Sequence, residues 1–239
     1  VLHSYLISKD TGFLESMWKV VEAAVDFVVD MQTERGEIIW ARHSDGTLWT
    51  YALLTGSSSI AHSIRSAIKI ATELGFEKKR WESAYAKLSH VIQAVPDAFA
   101  PKNRWAMDWY YPVLTGVVTG EMGKKHLAER NDTFEIQGKG IRCVSDRPWI
   151  TTAETCECAM AFQSIGDTQH ALELFKQIQI FRNDKGQYLT GMVFPELVSF
   201  PEEEFSTYSA AAVVLAADSL MGITEASQLF SNHEFLPVL

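Results

Sequence analysis

Apolar residues recur along this chain at helical spacing, and their pattern predicts eight helices. In the first of these, Phe13, Met17 and Val21 fall on one stripe while charged residues lie elsewhere, which is typical of an amphipathic surface helix. Sustained alternation with a period of two, the sign of a half-buried strand, is scarce. We predict helices over residues 13–31, 58–74, 80–94, 106–119, 121–136, 150–165, 168–182 and 206–221. The expected fold class is therefore all-α.

Two kinds of helix alternate in this prediction. Helices such as 80–94 are amphipathic and fit an outer position, whereas helices such as 58–74 and 150–165 are rich in small residues and fit an inner one. Links from an inner to the next outer helix are short, but links in the other direction run to roughly 10 to 25 residues. Because links of one direction lie at the same end of an up-and-down array, we expect the long loops to form one functional face.

Several short motifs resemble known toroidal families. Residues 31–40 and 181–188 are similar to the helix-end, glycine and aromatic repeats of the terpenoid cyclase and protein prenyltransferase toroids. Residues 201–209 resemble six-hairpin glycosidases, in which an acid precedes an aromatic-Ser inner helix, and residues 107–112 resemble an uncharacterised bacterial prenyltransferase-like branch. The resemblance implies a single α/α toroid over 1–239, an α-hairpin barrel of alternating inner and outer helices. A full toroid has more than eight helices, so we expect one or two N-terminal hairpins to be missing.

Composition and charge narrow the range of partners. The chain has 239 residues and a formal net charge of −9, without a local cluster of Lys and Arg, which disfavours nucleic acid and anionic membranes as partners. No apolar run reaches the ~18 to 20 residues that a membrane span needs. Three cysteines, an odd number, fit a reducing compartment better than a disulfide scaffold. We therefore expect a cytoplasmic protein.

The sequence gives little support for a metal site, a nucleotide-binding loop or a serine nucleophile. The seven histidines show no HxxxH or HExxH pairing, and Cys156 and Cys158 fall on different faces of one helix. The glycines at 120–125 and 138–140 lack the spacing of a phosphate-binding loop, and the serines at 57–59 are more simply a helix cap. We predict neither a cofactor nor a bound metal.

Carboxylates next to aromatic residues form the leading candidate chemistry. Sugars expose apolar C–H faces between their hydroxyl groups, and glycosidic cleavage uses two carboxyl groups that lie ~5 to 10 Å apart. The candidate catalytic residues are Asp108, Asp146, Glu154 and Glu203, and the candidate substrate-binding residues are Trp40, Trp109, Tyr110, Arg147, Trp149, Tyr188 and Glu196. A hydrolase requires two of the four carboxyl groups to face one cavity.

Each candidate also has a purely structural interpretation. Trp109 and Tyr110 suit a hydrophobic core equally well, and Asp146 suits a local ion pair with Arg147. Glu154 in the first turn of its helix also fits the favourable interaction of an acid with the helix dipole. We prefer Glu154 to Glu157 as a catalytic group, because a first-turn carboxylate faces the cavity or its rim, where partial burial raises its pKa.

The leading functional interpretation is a carbohydrate-active protein that binds an oligosaccharide or a small molecule, with glycoside hydrolysis as the activity of an enzyme. One alternative is a prenyltransferase-like or terpenoid-cyclase-like toroid, in which the aromatic residues stabilise cationic intermediates of an isoprenoid. The acid motifs DxDD and DDxxD of those families are absent from this sequence. A second alternative is a non-enzymatic helical scaffold, because an open array leaves inner helices free for a homo-oligomer or another partner.

Overall fold

The computed structural model describes residues 1–237 and shows a mostly helical chain, with 57% of its residues in helices and two small antiparallel sheets. The helices are α1 Leu2–Ser8, α2 Thr11–Val29, α3 Leu54–Glu73, α4 Lys79–Ala94, α5 Met107–Leu114, α6 Gly120–Ala128, α7 Asn131–Phe134, α8 Thr152–Ser164, α9 Thr168–Gln177, α10 Thr207–Met221 and α11 Gln228–Ser231. The strands are β1 Glu135–Ile136, β2 Gly140–Ile141, β3 Trp149–Thr151, β4 Gly191–Val193 and β5 Val198–Ser199. Each of the eight predicted helices overlaps one of these helices.

The strands correct the expectation of an all-α fold. They occupy predicted loops and a predicted helix end: β1 pairs with β2, and β4 pairs with both β3 and β5. The predicted helix 121–136 ends early, because its last residues form β1 and Gly138, with φ of 71°, turns the chain back into β2. The predicted helix 106–119 also ends early, where Gly116 takes a left-handed conformation with φ of 73°.

Helix α8 lies at the centre of the larger hydrophobic core. Eleven of its 13 residues are buried, so it has no solvent-facing stripe and packs against α5, α9 and α10 at once. Small residues such as Ala153, Cys156 and Ala159 allow this close approach on several sides. Helices α3, α5, α8 and α10 contact one another in chain order, while α4 packs on α3 and α9 packs on α8.

The C-terminal segment is held against α3 by one buried arginine. Arg65 is 4% exposed, and its guanidinium donates to the carbonyl oxygens of Pro237 at 3.0 Å and Leu236 at 2.9 Å. Phe230 of α11 stacks on His62 of α3 with ring centroids 4.6 Å apart. Helix α11 also contacts α8 and α10.

No single helix within residues 1–237 is long and apolar enough to cross a bilayer. Helix α10 passes that test only together with Glu225–Ser231, and the two parts meet at a bend of 97°.

Candidate active site

Three tyrosine hydroxyl groups converge on the carboxyl group of Glu157. Tyr110 donates at 2.6 Å, Tyr208 at 2.7 Å and Tyr111 at 3.2 Å. Tyr110 and Tyr111 lie in the middle of α5, Tyr208 lies in the first turn of α10, which Ser206 caps, and Glu157 lies in the second turn of α8. The site is therefore assembled where the middle of α5 meets the N-terminal parts of α8 and α10.

Burial dominates the electrostatics of Glu157. The residue is 8% exposed, and the groups that donate to it among residues 1–237 are neutral hydroxyls. Desolvation raises the pKa of Glu157 to about 7, although the hydrogen bonds from the tyrosines favour the charged form and lower it. The neighbouring carboxyl group of Glu154 raises the pKa further. A carboxyl group with a pKa near neutrality exists in both protonation states at pH 7, as a general acid or base requires.

The tyrosines themselves stay protonated. Burial and the adjacent carboxyl group of Glu157 raise the pKa values of Tyr110, Tyr111 and Tyr208 above the ordinary value of 10.0. They consequently remain hydrogen-bond donors throughout the neutral pH range. Three fixed donors around one carboxyl group hold its orientation in the site.

Glu154 lies one helical turn before Glu157 and is also buried, at 7% exposed. Its carboxyl group accepts a hydrogen bond from the hydroxyl of Thr151 and lies near the thiol of Cys143. Side chains three residues apart on a helix have Cβ atoms ~5 to 6 Å apart. Two buried carboxyl groups at this spacing disfavour simultaneous ionisation, which explains how Glu154 raises the pKa of Glu157.

Glu157 faces a cavity of about 250 Å³ between α3, α5, α8, α10 and α11. The polar part of its lining consists of Ser59, His62, Ser63, Tyr111, Thr115, Glu157 and Tyr208, and the apolar part consists of Leu114, Met160, Ala211, Ala212, Leu215 and Phe230. Tyr208 is 46% exposed and the two serines are exposed, so solvent reaches the cavity. Burial and the charge of Arg65 lower the pKa of His62 to about 4, which leaves this histidine neutral at pH 7.

The four predicted catalytic carboxyl groups do not line one cavity in the part of the chain that the structure describes, so the facing pair expected among these four is not formed. Hydrolysis by this chain would therefore use at least one carboxyl group outside this set. Asp108 lines a separate cavity of about 820 Å³ beside α4 and α6, where Thr55 donates to it at 2.6 Å. Burial raises the pKa of Asp108. Glu203 is exposed on the loop before α10. Glu154 is the predicted carboxyl group that lies next to the tyrosine cluster.

Asp146 is exposed and forms an ion pair with Arg104, whose Nε donates at 2.9 Å. The predicted local partner was Arg147, but the guanidinium that reaches this carboxylate comes from the loop before α5. The hydrogen bond from Arg104 lowers the pKa of Asp146 below its ordinary value of 3.8. This carboxyl group is therefore ionised at neutral pH.

The predicted binding residues fall into different environments. Trp109 is 2% exposed, stacks on Phe134 at 5.4 Å and donates from its indole to the carbonyl of Leu127 at 3.1 Å, so it is part of the core. Tyr110 is also fully buried, but its hydroxyl reaches Glu157. The core packing of Trp109 corrects its assignment to the ligand wall, because its ring faces α6 and α7 instead of a cavity.

The remaining predicted binding residues lie near the long loops. Trp40 is 50% exposed and packs over Gly56 at the start of α3. Tyr188 is partly buried, and its hydroxyl donates to Gln179 at 2.8 Å. Glu196 is exposed between β4 and β5. Arg147 and Trp149 line a third cavity, of about 350 Å³, together with Arg104, Trp105, Val144 and Phe200.

The chain shares extensive sequence similarity with a named enzyme. It is 46% identical over 230 residues to the MMP endo-(1,4)-3-O-methyl-alpha-D-mannosidase of Mycolicibacterium hassiacum. The two sequences are homologous. The match covers 96% of this chain and 64% of the relative, so the chain spans less than two thirds of that protein's length. No protein-family model matches the chain.

Sequence reasoning did not single out Glu157 and Tyr208 as members of the site. It favoured Glu154, because first-turn positions were expected to face the cavity, whereas the lining of the cavity begins one turn later with Glu157. A signal was present in the sequence: Glu157 is an acid between Cys156 and Cys158 in a helix of small apolar residues, without a cation within a turn on either side. An acid in such surroundings is expected to be buried and to have a raised pKa. Within residues 1–237, no cluster of three or more His, Cys, Asp or Glu side chains is arranged to hold a metal ion.

Proposed function

We propose that this chain is a carbohydrate-active hydrolase that cleaves a glycosidic bond of an α-mannan, with Glu157 as its general acid. The observation that carries the proposal is the buried carboxyl group of Glu157, which has a pKa of about 7 and faces a cavity. The homologous enzyme is named as an endo-acting α-mannosidase, which supports a carbohydrate as the ligand. The isoprenoid alternative lacks such support.

The tyrosine cluster prepares Glu157 for proton transfer. In its protonated form, Glu157 gives its proton to the glycosidic oxygen while the bond from that oxygen to the anomeric carbon breaks. The resulting carboxylate keeps the hydrogen bonds of Tyr110, Tyr111 and Tyr208, which favour the charged form. A water molecule supplies the new hydroxyl at the anomeric carbon and returns a proton, so the atoms balance.

Hydrolysis also uses a second carboxyl group. Of the four carboxyl groups predicted from the sequence, Glu154 is nearest to Glu157 along α8 and acts on its pKa. The second-carboxyl role remains a prediction for Glu154. Its hydrogen bond from Thr151 holds it outside the lining of the cavity, so we also propose that it tunes the acid.

The apolar side of the cavity suits a methylated sugar. Leu114, Met160 and Leu215 face the same space as Glu157. A methyl ether cannot donate a hydrogen bond and gains from burial against apolar groups. The homologous enzyme carries 3-O-methyl in its name, and we propose the same class of substrate for this chain.

The predicted α/α toroid is part of the same proposal. Helices α3, α5, α8 and α10 contact one another in chain order, and α4 and α9 each pack on one of them. This arrangement is the one expected for inner and outer helices of an α-hairpin array. The cavity of Glu157 is lined by the N-terminal half of α3, the N-terminal and central parts of α10, the middle of α8 and the C-terminal half of α5.

The test is hydrolysis of α-(1,4)-linked manno-oligosaccharides, with and without 3-O-methyl groups, by the purified chain. We expect Glu157→Gln to lower kcat/KM by ~10² to 10⁴ fold, the usual contribution of a general acid. The control is Glu77→Gln, which removes an exposed carboxylate outside the three cavities and should leave kcat/KM close to the wild-type value. Equal rates for the wild type and Glu157→Gln would overturn the proposal, as would a wild-type chain that neither binds nor cleaves these substrates.

A further inference from the structure

We propose that the cleft formed by Trp105, Trp149 and Phe200 is a second carbohydrate-binding site, which holds a sugar residue of the same polysaccharide away from the bond that is cleaved. This inference rests on the proposed function. The cleft has a volume of about 350 Å³ and lies apart from the cavity of Glu157, with which it shares no lining residue. Its volume falls near the lower end of the ~300 to 1,000 Å³ range of ligand pockets.

The aromatic rings of the cleft are fixed and accessible. Trp149 and Phe200 meet edge to face, with centroids 5.0 Å apart and planes at 85°. The indole of Trp149 donates to the carbonyl oxygen of Phe200 at 3.0 Å, which locks the ring across β4. Trp105 is 41% exposed and Phe200 is 50% exposed. A flat aromatic surface held in this way offers a platform for the apolar face of a pyranose ring.

Gly191 keeps this arrangement possible. A Cβ atom at this position would lie 2.5 Å from Nε1 of Trp149 and 2.7 Å from the carbonyl oxygen of Ile150, which is closer than van der Waals contact permits. The indole therefore lies directly against the backbone of β4. Trp149 in this position is one of the residues that line the cleft.

Guanidinium groups at the edge of the cleft supply hydrogen-bond donors. Arg104 lies 5.4 Å from the ring centroid of Trp105 and is held in place by its bond to Asp146. Arg147 is exposed and lines the same cleft. Each guanidinium carries five N–H donors, more than these contacts use, so donors remain for sugar hydroxyl groups. Aromatic faces flanked by donors and a carboxylate form a chemistry that suits a saccharide.

The cleft adjoins the candidate active site through β3 and the start of α8. Trp149 and Thr151 lie on the same face of β3, because side chains alternate along a strand. Thr151 donates to Glu154, one turn before Glu157. Val144 of the cleft is next in sequence to Cys143, which lies near Glu154. If one polysaccharide spans both places, binding energy from the remote site supports the reaction at the other.

The test measures the affinity of Glu157→Gln for manno-oligosaccharides of increasing length by calorimetry. The additional change Trp105→Ala should weaken the binding of the longest oligosaccharides by about tenfold and leave the shortest ones unaffected. Trp105→Phe keeps an aromatic face and should retain most of the affinity. In the hydrolytically active chain, Trp105→Ala should raise KM for long substrates without lowering kcat.

The matched control is Trp49→Ala, which removes another exposed tryptophan that stacks on His43 outside the cleft. The inference is overturned if Trp105→Ala binds long oligosaccharides as tightly as its parent, or if all lengths lose affinity equally. If the wild type hydrolyses the substrates but Trp105→Ala does not change the affinity for any oligosaccharide, this inference alone is contradicted. Length-dependent binding without hydrolysis by the wild type contradicts the proposed function alone, and a wild type that binds no oligosaccharide contradicts both.

Discussion

The cavity of Glu157 and the surroundings of the aromatic cleft hold carboxyl groups in opposite environments. Glu157 is buried among tyrosine hydroxyls, and desolvation raises its pKa to about 7. Asp146 beside the cleft is exposed, and Arg104 lowers its pKa below 3.8. The two residues are close in sequence, so their difference comes from the packing of α8 and from the partners that surround each carboxyl group.

This contrast separates proton transfer from binding. A group that holds a proton at neutral pH can act as an acid, whereas a permanently ionised carboxylate can fix a guanidinium but cannot protonate a leaving group. The rigid, buried surroundings of Glu157 suit chemistry, and the open aromatic surface at Trp105 suits the binding of a flexible polymer. The following predictions test this division.

The largest expected effect distinguishes two tryptophans that are four residues apart. Trp109 packs in the core against Phe134, so Trp109→Ala should lower the free energy of unfolding by ~3 to 5 kcal/mol. Trp105 is exposed at the cleft, so Trp105→Ala should change it by less than ~1 kcal/mol. Urea denaturation of both variants measures the difference. Equal losses of stability would show that the cleft is part of the core.

The pH dependence of stability tests the burial of Glu157. Because the pKa of Glu157 is raised in the folded state, its protonated form stabilises the fold. This contribution to the free energy of unfolding is complete below pH 4.5 and is lost as the pH rises through about 7. Glu157→Gln removes this dependence. The variant should therefore gain stability relative to the wild type between pH 4.5 and pH 7, on the order of 1 to 3 kcal/mol. If the difference in the free energy of unfolding between Glu157→Gln and the wild type stays constant over this interval, the carboxyl group is exposed.

Removing one tyrosine hydroxyl tests the hydrogen bonds around the acid. Tyr110 donates to Glu157 at 2.6 Å, which favours the carboxylate. Tyr110→Phe should therefore raise the pKa of Glu157, and a hydrogen bond to a charged group of ~1.5 to 3 kcal/mol corresponds to about 1 to 2 pH units. The alkaline limb of the kcat/KM profile reports this shift. A limb that stays in place or moves to lower pH would contradict the account.

A suitable control for this experiment is Tyr188→Phe. The hydroxyl of Tyr188 donates to Gln179 instead of a carboxyl group of the site. Its removal should leave the pH profile of kcat/KM unchanged. The comparison shows whether a shift follows from the loss of a donor to Glu157 or from the loss of any partly buried tyrosine hydroxyl.

The smallest expected effect is that of Asp146→Asn. The lowered pKa of Asp146 contributes stability that is present at neutral pH and is lost as the pH falls below its ordinary value of 3.8. Because the ion pair with Arg104 is exposed, solvent screens it and the change should be small. The pH dependence of this change is opposite in sign to that of Glu157→Gln, because Asp146→Asn loses stability relative to the wild type as the pH rises. The same sign for both would contradict the contrast between the two regions.

Hydrophobic periodicity was sufficient to locate the main helices. The stripes of α2 and α9 and the small residues of α8 predicted helices at these places, and the hydroxyl-rich start of α10 marked its first residue closely. The short strands could not be predicted, because strands of two or three residues are too short for alternation. They form when distant segments such as β3 and β4 meet in the fold.

The candidate site was predicted only in part. The acids and aromatics of the long-loop face were recognisable, but the choice between Glu154 and Glu157 depends on where α5 and α10 contact α8. Trp105 and Trp109 are only four residues apart, and tertiary packing places Trp109 in the core and Trp105 at the surface. The convergence of Tyr110, Tyr111 and Tyr208 likewise joins residues almost 100 positions apart, and no local pattern encodes it.

The most direct test of the account is a titration of Glu157 itself. Carboxyl carbon chemical shifts of the isotopically labelled chain, measured from pH 4 to pH 9, follow each glutamate, and the spectrum of Glu157→Gln identifies the signal of interest. The account predicts a midpoint of about 7. A midpoint at or below the ordinary value of 4.5 would contradict the assignment of Glu157 as an acid at neutral pH.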